Sequence, residues 1–324
     1  MKTLKTLSLA FLAIVTFWSC SDDDDAAVME PQQLNIVETA QATPSLSILV
    51  EAVIQADLVN ALSASGSRTV LAPTNDAFTA FLAAKGFDSL EDVPDDVLTQ
   101  ILLNHVIDGA NIMSSDLAGA TGYTNTLASG PNDSNLSLYW DGTSGVTFNG
   151  ASTVALADVS TSNGIVHVVD AVIDLPTIAT FATTNPGLST LVDALAYADT
   201  GAPTVPYITT VSDATAGPFT VFAPTNAAFG DLLTELNVTA LTDIDTATVD
   251  AVLTYHIVGA NVQSSMLTSG IVTTIGGDIT ADATAFTLTD ANNRISNIIT
   301  SLVDIQAVNG VVHAIDKVVL PPQM

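Results

Sequence analysis

Apolar residues recur at helical spacing near the start of each half of the chain. Positions i, i+3, i+4 and i+7 are aliphatic in both stretches, which is the pattern of a helix with one buried face. The residues are Leu46, Leu49, Val50 and Val53 in the first half, and Leu188, Leu191, Val192 and Leu195 in the second. We therefore predict two matching amphipathic helices.

A proline followed by two polar residues predicts the start of a second helix in each half. Pro73 keeps the preceding alanine extended, and Thr74 and Asn75 then supply oxygen atoms that can cap a helix. The second half repeats this arrangement with Pro224, Thr225 and Asn226. Capping accounts for the recurring polar residues without a ligand, so we assign them a structural role.

A third apolar stripe ends at a histidine in each half. Its members are Leu98, Ile101, Leu102 and His105, matched by Val249, Val252, Leu253 and His256. The spacing predicts a third helix whose last buried position is the histidine.

The remainder of each half is typical of β-strands. Residues 122–173 and 271–319 are rich in Thr, Val and Ile and are interrupted by Gly, Asn and Asp, as short antiparallel strands are. The last strands, 165–169 and 311–315, are apolar on both faces, which indicates central and well-covered positions. We predict an α+β fold in each half, with a small β-sandwich or wedge and helices packed beside it.

The two halves are copies of one module. Residues 69–78 return as residues 220–229, and matched blocks lie 142 residues apart at Pro44, 151 at Pro73 and 146 at His167. A repeat of this length is far longer than a solenoid unit, so each copy can bury a core of its own. We place the first module at residues 33–176 and the second module at residues 177–322.

The N-terminus predicts export and lipid attachment. Residues 1–19 have two lysines and a short apolar run, as a signal peptide does, and Cys20 stands where a bacterial lipoprotein would be cleaved and acylated. Trp18 is bulkier than the usual residue before such a cysteine. Residues 20–32 form an acidic tether that resembles a surface-export signal, so we expect a lipid-anchored protein on the outer membrane, exposed at the surface. The alternative is a secreted protein with an incidental cysteine.

Charge and cysteine content exclude several partners. After residue 19 the chain has four cations and 34 acidic residues, a net charge of −30. This charge repels nucleic acid and anionic membrane surfaces, so membrane contact is expected through the lipid alone. The single cysteine excludes disulfides and thiolate metal sites within the modules. Calcium binding by clustered carboxylates is the alternative to a merely solvated acidic surface, but the EF-hand spacing is missing.

The sequence has few residues suited to a catalytic or metal site. Each module has two histidines, His105 with His167 and His256 with His313, which is a small ligand set, and their apolar surroundings favour hydrogen-bonded core histidines. The chain also lacks a Gly-x-Ser-x-Gly elbow, a phosphate loop and a dinucleotide fingerprint. We predict no metal, no cofactor and no catalysis, although a pair of carboxylates could meet in space as in glycosidases.

The repeated blocks resemble the fasciclin, or FAS1, domain over nearly all of residues 33–322. Residues 220–229 are similar to the first signature of this family and residues 309–321 to its second, with counterparts at 69–78 and 163–176. The family's Tyr-His pair stands at Tyr255 and His256, whereas the first module has Asn104 and His105. The resemblance implies a secreted or surface-anchored adhesion protein without enzymatic activity. It also implies a binding role for the region around the Tyr-His pair.

Three functions therefore remain open. The first is an adhesion module that contacts matrix, polysaccharide or another cell. The second is a small-ligand or glycan receptor for an outer-membrane uptake system, for which Tyr139 and Trp140 are candidate sugar-stacking residues. The third is a hydrolase. We favour adhesion, because tandem copies without catalytic residues can gain avidity.

Overall fold

The computed structural model describes residues 33–322, so the predicted signal peptide, Cys20 and the acidic tether lie outside the described residues. The first module contains six helices and seven strands. In chain order they are α1 (Ile36–Gln41), α2 (Ser47–Gln55), α3 (Val59–Ser63), β1 (Arg68–Pro73), α4 (Asn75–Lys85), α5 (Asp95–Leu103), β2 (Val106–Asp108), α6 (Ser114–Leu117), β3 (Thr121–Ser129), β4 (Asn135–Asp141), β5 (Thr147–Phe148), β6 (Ser152–Thr161) and β7 (Gly164–Val169).

The second module repeats this order with five helices and eight strands within the described residues. They are α7 (Ile178–Thr184), α8 (Ser189–Asp199), α9 (Tyr207–Ser212), β8 (Phe219–Pro224), α10 (Asn226–Glu235), α11 (Thr246–Thr254), β9 (Ile257–Val258), β10 (Gly270–Thr273), β11 (Asp278–Asp282), β12 (Thr287–Thr289), β13 (Ile295–Asn297), β14 (Ile305–Ala307) and β15 (Gly310–Ile315). The predicted α+β fold with two repeated modules is confirmed.

One long strand in the first module becomes two short strands in the second. The first module has a single seven-stranded sheet in the order β2-β1-β7-β6-β5-β4-β3. In the second module a helical turn at Thr300–Leu302 separates β13 from β14, and the sheet divides into β10-β11-β12-β13 and β14-β15-β8-β9. The first module bends the same strand with two irregularities instead, between Val154 and Val159. In both modules the sheet must turn at this point.

The strand pairing differs from the sequence prediction in one respect. Antiparallel pairs dominate as predicted, but the last strand of each module lies parallel to the first, β7 with β1 and β15 with β8. The chain between the two partners is long enough for a parallel return, because it holds most of the module. Hydrophobic alternation does not distinguish the two pairings of a strand that is covered on both faces.

The predicted helices are present, with a correction at the third. The helix α5 ends at Leu103 and α11 ends at Thr254, so Asn104 and Tyr255 are the capping residues. The spacing predicts that His105 and His256 lie on these helices, and this is wrong. Each histidine follows the capping residue. The chain passes directly from each histidine into β2 or β9, so the apolar stripe continues from helix to strand.

The two polar residues after each proline have different tasks. Thr74 and Thr225 cap their own helices by accepting the backbone N–H of Ala77 and Ala228. The next residue reaches a neighbouring helix instead. Asn75 accepts the N–H of Ile48 at 3.0 Å and donates to the carbonyl of Pro44 at 3.1 Å. Asn226 makes the same contacts with Thr190 and Pro186. Each asparagine therefore ties α4 or α10 to the start of α2 or α8.

The two modules share a core. Tyr139 on β4 of the first module is buried together with Phe181, Ile305 and Ala307 of the second. Tyr123 on the neighbouring strand lies 5.7 Å from the Phe181 ring, and its hydroxyl accepts the Asn185 amide at 3.0 Å. The backbone N–H of Gln306 donates to Ser137 Oγ at 2.9 Å. Residues from 34 onward accordingly form one compact unit.

None of the helices within residues 33–322 is both long enough and apolar enough to cross a membrane.

Two buried tyrosines provide a matched test of this packing. The Tyr139 hydroxyl is buried without a hydrogen-bond partner. The Tyr207 hydroxyl donates to the Asp250 carboxylate at 2.7 Å. We expect Tyr139→Phe to raise the free energy of unfolding by about 1 kcal/mol and Tyr207→Phe to lower it by about 1–2 kcal/mol. Urea titration of both variants measures the difference, and equal losses would contradict it.

Candidate functional site

His105 and His256 are enclosed by backbone groups. In each ring Nδ1 donates to a carbonyl one turn back, that of Ile101 at 2.7 Å or Val252 at 2.8 Å. The other nitrogen, Nε2, accepts the N–H of Ile173 or Val319. Both rings are buried, and burial lowers the pKa of each to about 4, against the smaller opposing effect of the backbone hydrogen bond. The rings are therefore neutral near pH 7, and both nitrogens are occupied.

His167 and His313 also bond to backbone groups through both ring nitrogens, but the donor and acceptor roles of the nitrogens are exchanged. Here Nδ1 accepts a backbone N–H, from Asp158 at 3.2 Å or Asp304 at 3.1 Å. Nε2 donates to the carbonyl of Ile112 or Val262, at 2.9 Å in both modules. Burial lowers the pKa of His313 below its ordinary value. These two side chains fasten the loop after β2 or β9 to the last strand.

A serine, an aspartate and a histidine meet in each module, but their hydrogen bonds do not fit nucleophilic catalysis. Ser114 donates its hydroxyl to Asp158 at 2.5 Å, and this bond is the main reason why the pKa of Asp158 is lowered. Ser264 donates to Asp304 in the same way. A triad requires the histidine to accept the serine proton. Here the carboxylate accepts it, while the histidine is held by backbone groups, so the cluster fixes a loop.

The candidate residues beside the histidines are also buried. Asn104 donates to the carbonyls of Ile173 and Asp174 at 3.3 and 3.1 Å. Tyr255 has the equivalent position in the second module, is 7% exposed, and packs against Gly276 and Gly277. A side chain larger than hydrogen at Gly276 would meet the tyrosine ring. The predicted binding role of this region stays a prediction, and in the described conformation both side chains serve packing.

Tyr139 and Trp140 do not form a common stacking surface. They are neighbours on β4, so their side chains lie on opposite faces of the sheet. Tyr139 packs on the second module, whereas Trp140 is half-buried in the first module's own cluster with Leu138 and Phe148. Their predicted role in sugar binding stays untested, but the two rings cannot stack on the same sugar.

All four cations of the described residues are engaged with acidic partners. Arg68 pairs with Asp108 at 2.9 Å and Lys85 with Asp174 at 2.5 Å. Arg294 contacts both Asp290 and Glu235, and Lys317 also reaches Glu235. A ligand with its own negative charge would find no unpaired cation on this part of the chain. The surface therefore favours neutral or positively charged partners.

The site that sequence analysis missed is a cleft between the modules. It consists of two adjoining hollows of 470 and 400 Å³, which share Asn125 and Asp304. The larger hollow is lined by Asp108, Asn132, Asp133, Ser134 and Asn135 of the first module and by Gln263 and Gln306 of the second. The smaller is lined by Tyr123, Ser137, Ser301 and Ile305. We call this region the intermodule cleft.

Amides, hydroxyls and carboxylates dominate the cleft, and a buried glutamine holds its floor. Gln306 is 1% exposed and donates its side-chain amide to Asn261 and to the carbonyls of Ala307 and Gly310. Asn132 of the first module donates to the carbonyl of Asn261 at 2.9 Å. The rim residues Asn125, Asp133 and Asn135 are exposed. The cleft thus has a fixed floor and exposed polar side chains at its edge, where Asn125 accepts from Ser137 Oγ and Asn135 donates to the carbonyl of Thr126.

Differences between the copies were the one available signal for this cleft. Gln306 aligns with Ser160, and Asn125 aligns by strand register with Thr273. The cleft exists only where unlike faces of the two modules meet, so its residues cannot recur in both copies. Comparison of repeats selects scaffold residues and passes over the contact between them.

Within residues 33–322, no group of three or more His, Cys, Asp or Glu side chains is arranged to hold a metal ion.

The comparisons agree with the fold and the repeat. The fasciclin domain family matches residues 44–176 and 186–321, so the chain belongs to the fasciclin domain family. Over 144 residues it is 42% identical to Protein sll1483 of Synechocystis sp. (strain ATCC 27184 / PCC 6803 / Kazusa), a match that covers 43% of this chain and 73% of that protein.

Two further relatives have descriptive names. Cell surface glycolipoprotein MPT83 of Mycobacterium tuberculosis (strain ATCC 25618 / H37Rv) is 32% identical over 145 residues, covering 45% of this chain and 60% of that protein. Periostin of Homo sapiens is 29% identical over 251 residues, covering 75% of this chain and 26% of its own length.

The fold also matches a solved structure. A FAS1 domain pair from the insect cell adhesion molecule Fasciclin I superposes with a TM-score of 0.50 at 18% identity. The match covers 85% of this chain and 97% of that one, and it shows that the tandem fold is shared.

The neutral buried histidines predict acid sensitivity. Unfolded histidine titrates near pH 6.5, whereas His105 and His256 take up a proton only near pH 4. Between these values the unfolded state binds more protons, so stability falls as the pH is lowered through this window and levels off below it. The loss is on the order of 3 kcal/mol for each histidine.

Urea unfolding between about pH 7 and about pH 4.5 measures this slope. We expect His256→Gln to be less stable at neutral pH but to have a clearly shallower pH dependence than the parent. Glu51→Gln, at an exposed position on α2, is the matched control and should keep the parent slope. A slope unchanged in His256→Gln would show that the histidine is not the titrating group.

Proposed function

We propose that this protein is a non-catalytic adhesion module of the cell surface, and that its intermodule cleft binds a segment of neutral polysaccharide. The observation that carries the proposal is the cleft itself, which is built by both modules and edged with exposed amide and carboxylate side chains. The four histidines, by contrast, are committed to the scaffold. Membership of the fasciclin family supports a binding role over an enzymatic one.

Ligand class follows from charge and shape. Hydroxyl-rich chains can donate to carboxylates and accept from amides, so Asn125, Asp133 and Asn135 suit a neutral glycan. An acidic glycan would meet the carboxylates without an unpaired cation among residues 33–322 to offset them. The cleft is open and polar, whereas small-molecule pockets are mostly apolar and enclose most of the ligand. These properties favour a polymer segment over the alternative, a small ligand destined for uptake.

The shared core changes how two modules help binding. Independent domains on a flexible linker gain avidity through effective concentration. In this chain the contact between the modules is fixed by Tyr139 and Gln306, so the pair offers one preformed surface. Preorganisation of this kind lowers the ordering cost of binding.

Occlusion of the cleft tests the proposal. Asn125 is exposed and lines both hollows, so Asn125→Trp should fill the cleft and reduce retention on an immobilised neutral polysaccharide by about tenfold or more. Asn60→Trp on exposed α3 is the matched control and should bind as the parent does. A panel of neutral and acidic polysaccharides tests the ligand class. Equal retention of both variants, or preference for acidic polymers, would refute the assignment.

Attachment to the outer membrane through Cys20 is part of the proposed function. The name of MPT83 as a cell surface glycolipoprotein supports a surface location for this chain. We expect Cys20→Ser to move the protein from the membrane fraction to the soluble fraction, because loss of the acylated thiol removes the anchor. Fractionation with immunoblotting measures this change. Retention of the variant in the membrane fraction would contradict lipid attachment at this residue.

A further inference from the structure

One face of the second module's outer sheet is exposed and partly apolar. Strand pairing places four residues in a row across β10, β11, β12 and β13: Ile271 beside Thr280, Thr280 beside Thr289, and Thr289 beside Ile295. Ile271 is 73% exposed and Ile295 is 57% exposed. The row spans about 14 Å at ordinary strand spacing. Ile271 and Ile295 thus stand at the two ends of a row whose middle positions are threonines.

The same row in the first module is the contact with the second module. Leu288 pairs with Ser296 in the second module as Phe148 pairs with Ser152 in the first. Each serine also donates to a carbonyl just after the last strand of its module, Ser152 to that of Ala171 and Ser296 to that of Lys317. This register equates Ile271 with Tyr123 and Thr280 with Tyr139. Those two tyrosines pack on Phe181 and its neighbours. The second module therefore exposes the face that the first module buries.

The receiving surface is repeated as well. In the second module it is formed by Phe181 on α7 and by the strand Ile305–Ala307. Asn163 and Asn309 bind the N–H of Ile36 and Ile178 in the same way, which equates Thr39 with Phe181. The equivalent surface of the first module is Thr39 with residues 159–161. Beside it lies Leu156, 57% exposed, which is the counterpart of Leu302 on the shared core, and Leu34, 45% exposed, precedes α1. Both halves of the internal contact thus recur, and within residues 33–322 the counterpart faces are not joined to each other.

We propose that the β10–β13 face of one copy binds the α1 and β6 surface of a second copy of this chain, by the contact that joins the two modules internally. The partner is identified by continuity with the internal interface, because the two exposed surfaces are the repeat counterparts of two surfaces that fit each other. Such a contact is heterologous, so each copy in an assembly uses a different surface towards each of its two neighbours. This association is separate from polysaccharide binding in the cleft.

The contact between copies is weaker than the internal one. Ile271 and Thr39 are smaller than Tyr123 and Phe181, so less apolar area is buried. The net charge of −30 after residue 19 also opposes association of copies. At about 1 M salt the Debye length falls to about 3 Å, so this repulsion is screened. Association should therefore strengthen with salt, whereas a contact held by ion pairs would weaken.

Disulfide trapping with the full chain tests the geometry. One chain carries Ile271→Cys and the other carries Thr39→Cys. We expect disulfide-linked dimers when the two are mixed, at a level about tenfold above either chain alone or either chain with Ile54→Cys. Ile54 is 58% exposed on α2 and serves as the matched control. The single-variant samples also measure any background from Cys20.

Each outcome of trapping decides for or against the proposal. Strong dimerisation of the Ile271→Cys chain with itself would indicate a symmetric contact and overturn the head-to-tail arrangement. Equal trapping by the Ile54→Cys control would indicate random collision and also overturn it.

Sedimentation at low and high salt provides a second measurement. We expect the parent to shift towards larger species at about 1 M salt, and Ile271→Glu to remain about tenfold less associated at equal concentration. Ile54→Glu should behave as the parent does. A parent that stays monomeric at high salt and high concentration would refute the proposal. Polysaccharide retention by the Ile271→Glu chain should be normal, which separates this proposal from the function of the cleft.

Discussion

Both modules depend on the pairing of buried backbone groups by side chains. Where strands, loops and helices meet, regular hydrogen bonding ends, and an unpaired N–H or carbonyl in the interior costs free energy. Asn163 receives the N–H of Ile36 and donates to the carbonyls of Leu62 and Ala64, and Asn309 repeats the three bonds in the second module. Thr69 and Thr220 fasten the loop after β2 or β9 in the same manner. With no cysteine among the described residues, these bonds and apolar packing hold the modules.

This constraint explains why the most recognisable residues are not a chemical site. Histidine has two ring nitrogens that can serve one donor and one acceptor at once, which suits the junction of a helix end with a strand. His256 joins Val252 to Val319, and His313 joins Asp304 to Val262. The buried rings of Tyr255 and His256 therefore act as braces.

The sequence alone was sufficient for the scaffold and insufficient for the contact between modules. Periodicity and the repeat located the helices, the terminal strands and the signature residues, because both copies obey the same packing. Periodicity placed His105 on α5, although the helix ends at Leu103, because the spacing of apolar residues does not mark where a helix ends. Comparison of the two copies did not reveal Gln306 and Asn125, because the other module has a different residue at each corresponding position. Residues that differ between the copies form the contact between the modules, and their burial is known only from the structure in which the two modules pack together.

The fused core also determines how tension would pass through the molecule. A pull between residue 33 and the far end of the second module would act on the seam where Tyr139 packs against Phe181. Because this seam is made of interlocked rings and strands, the pair would resist extension as one stiff element.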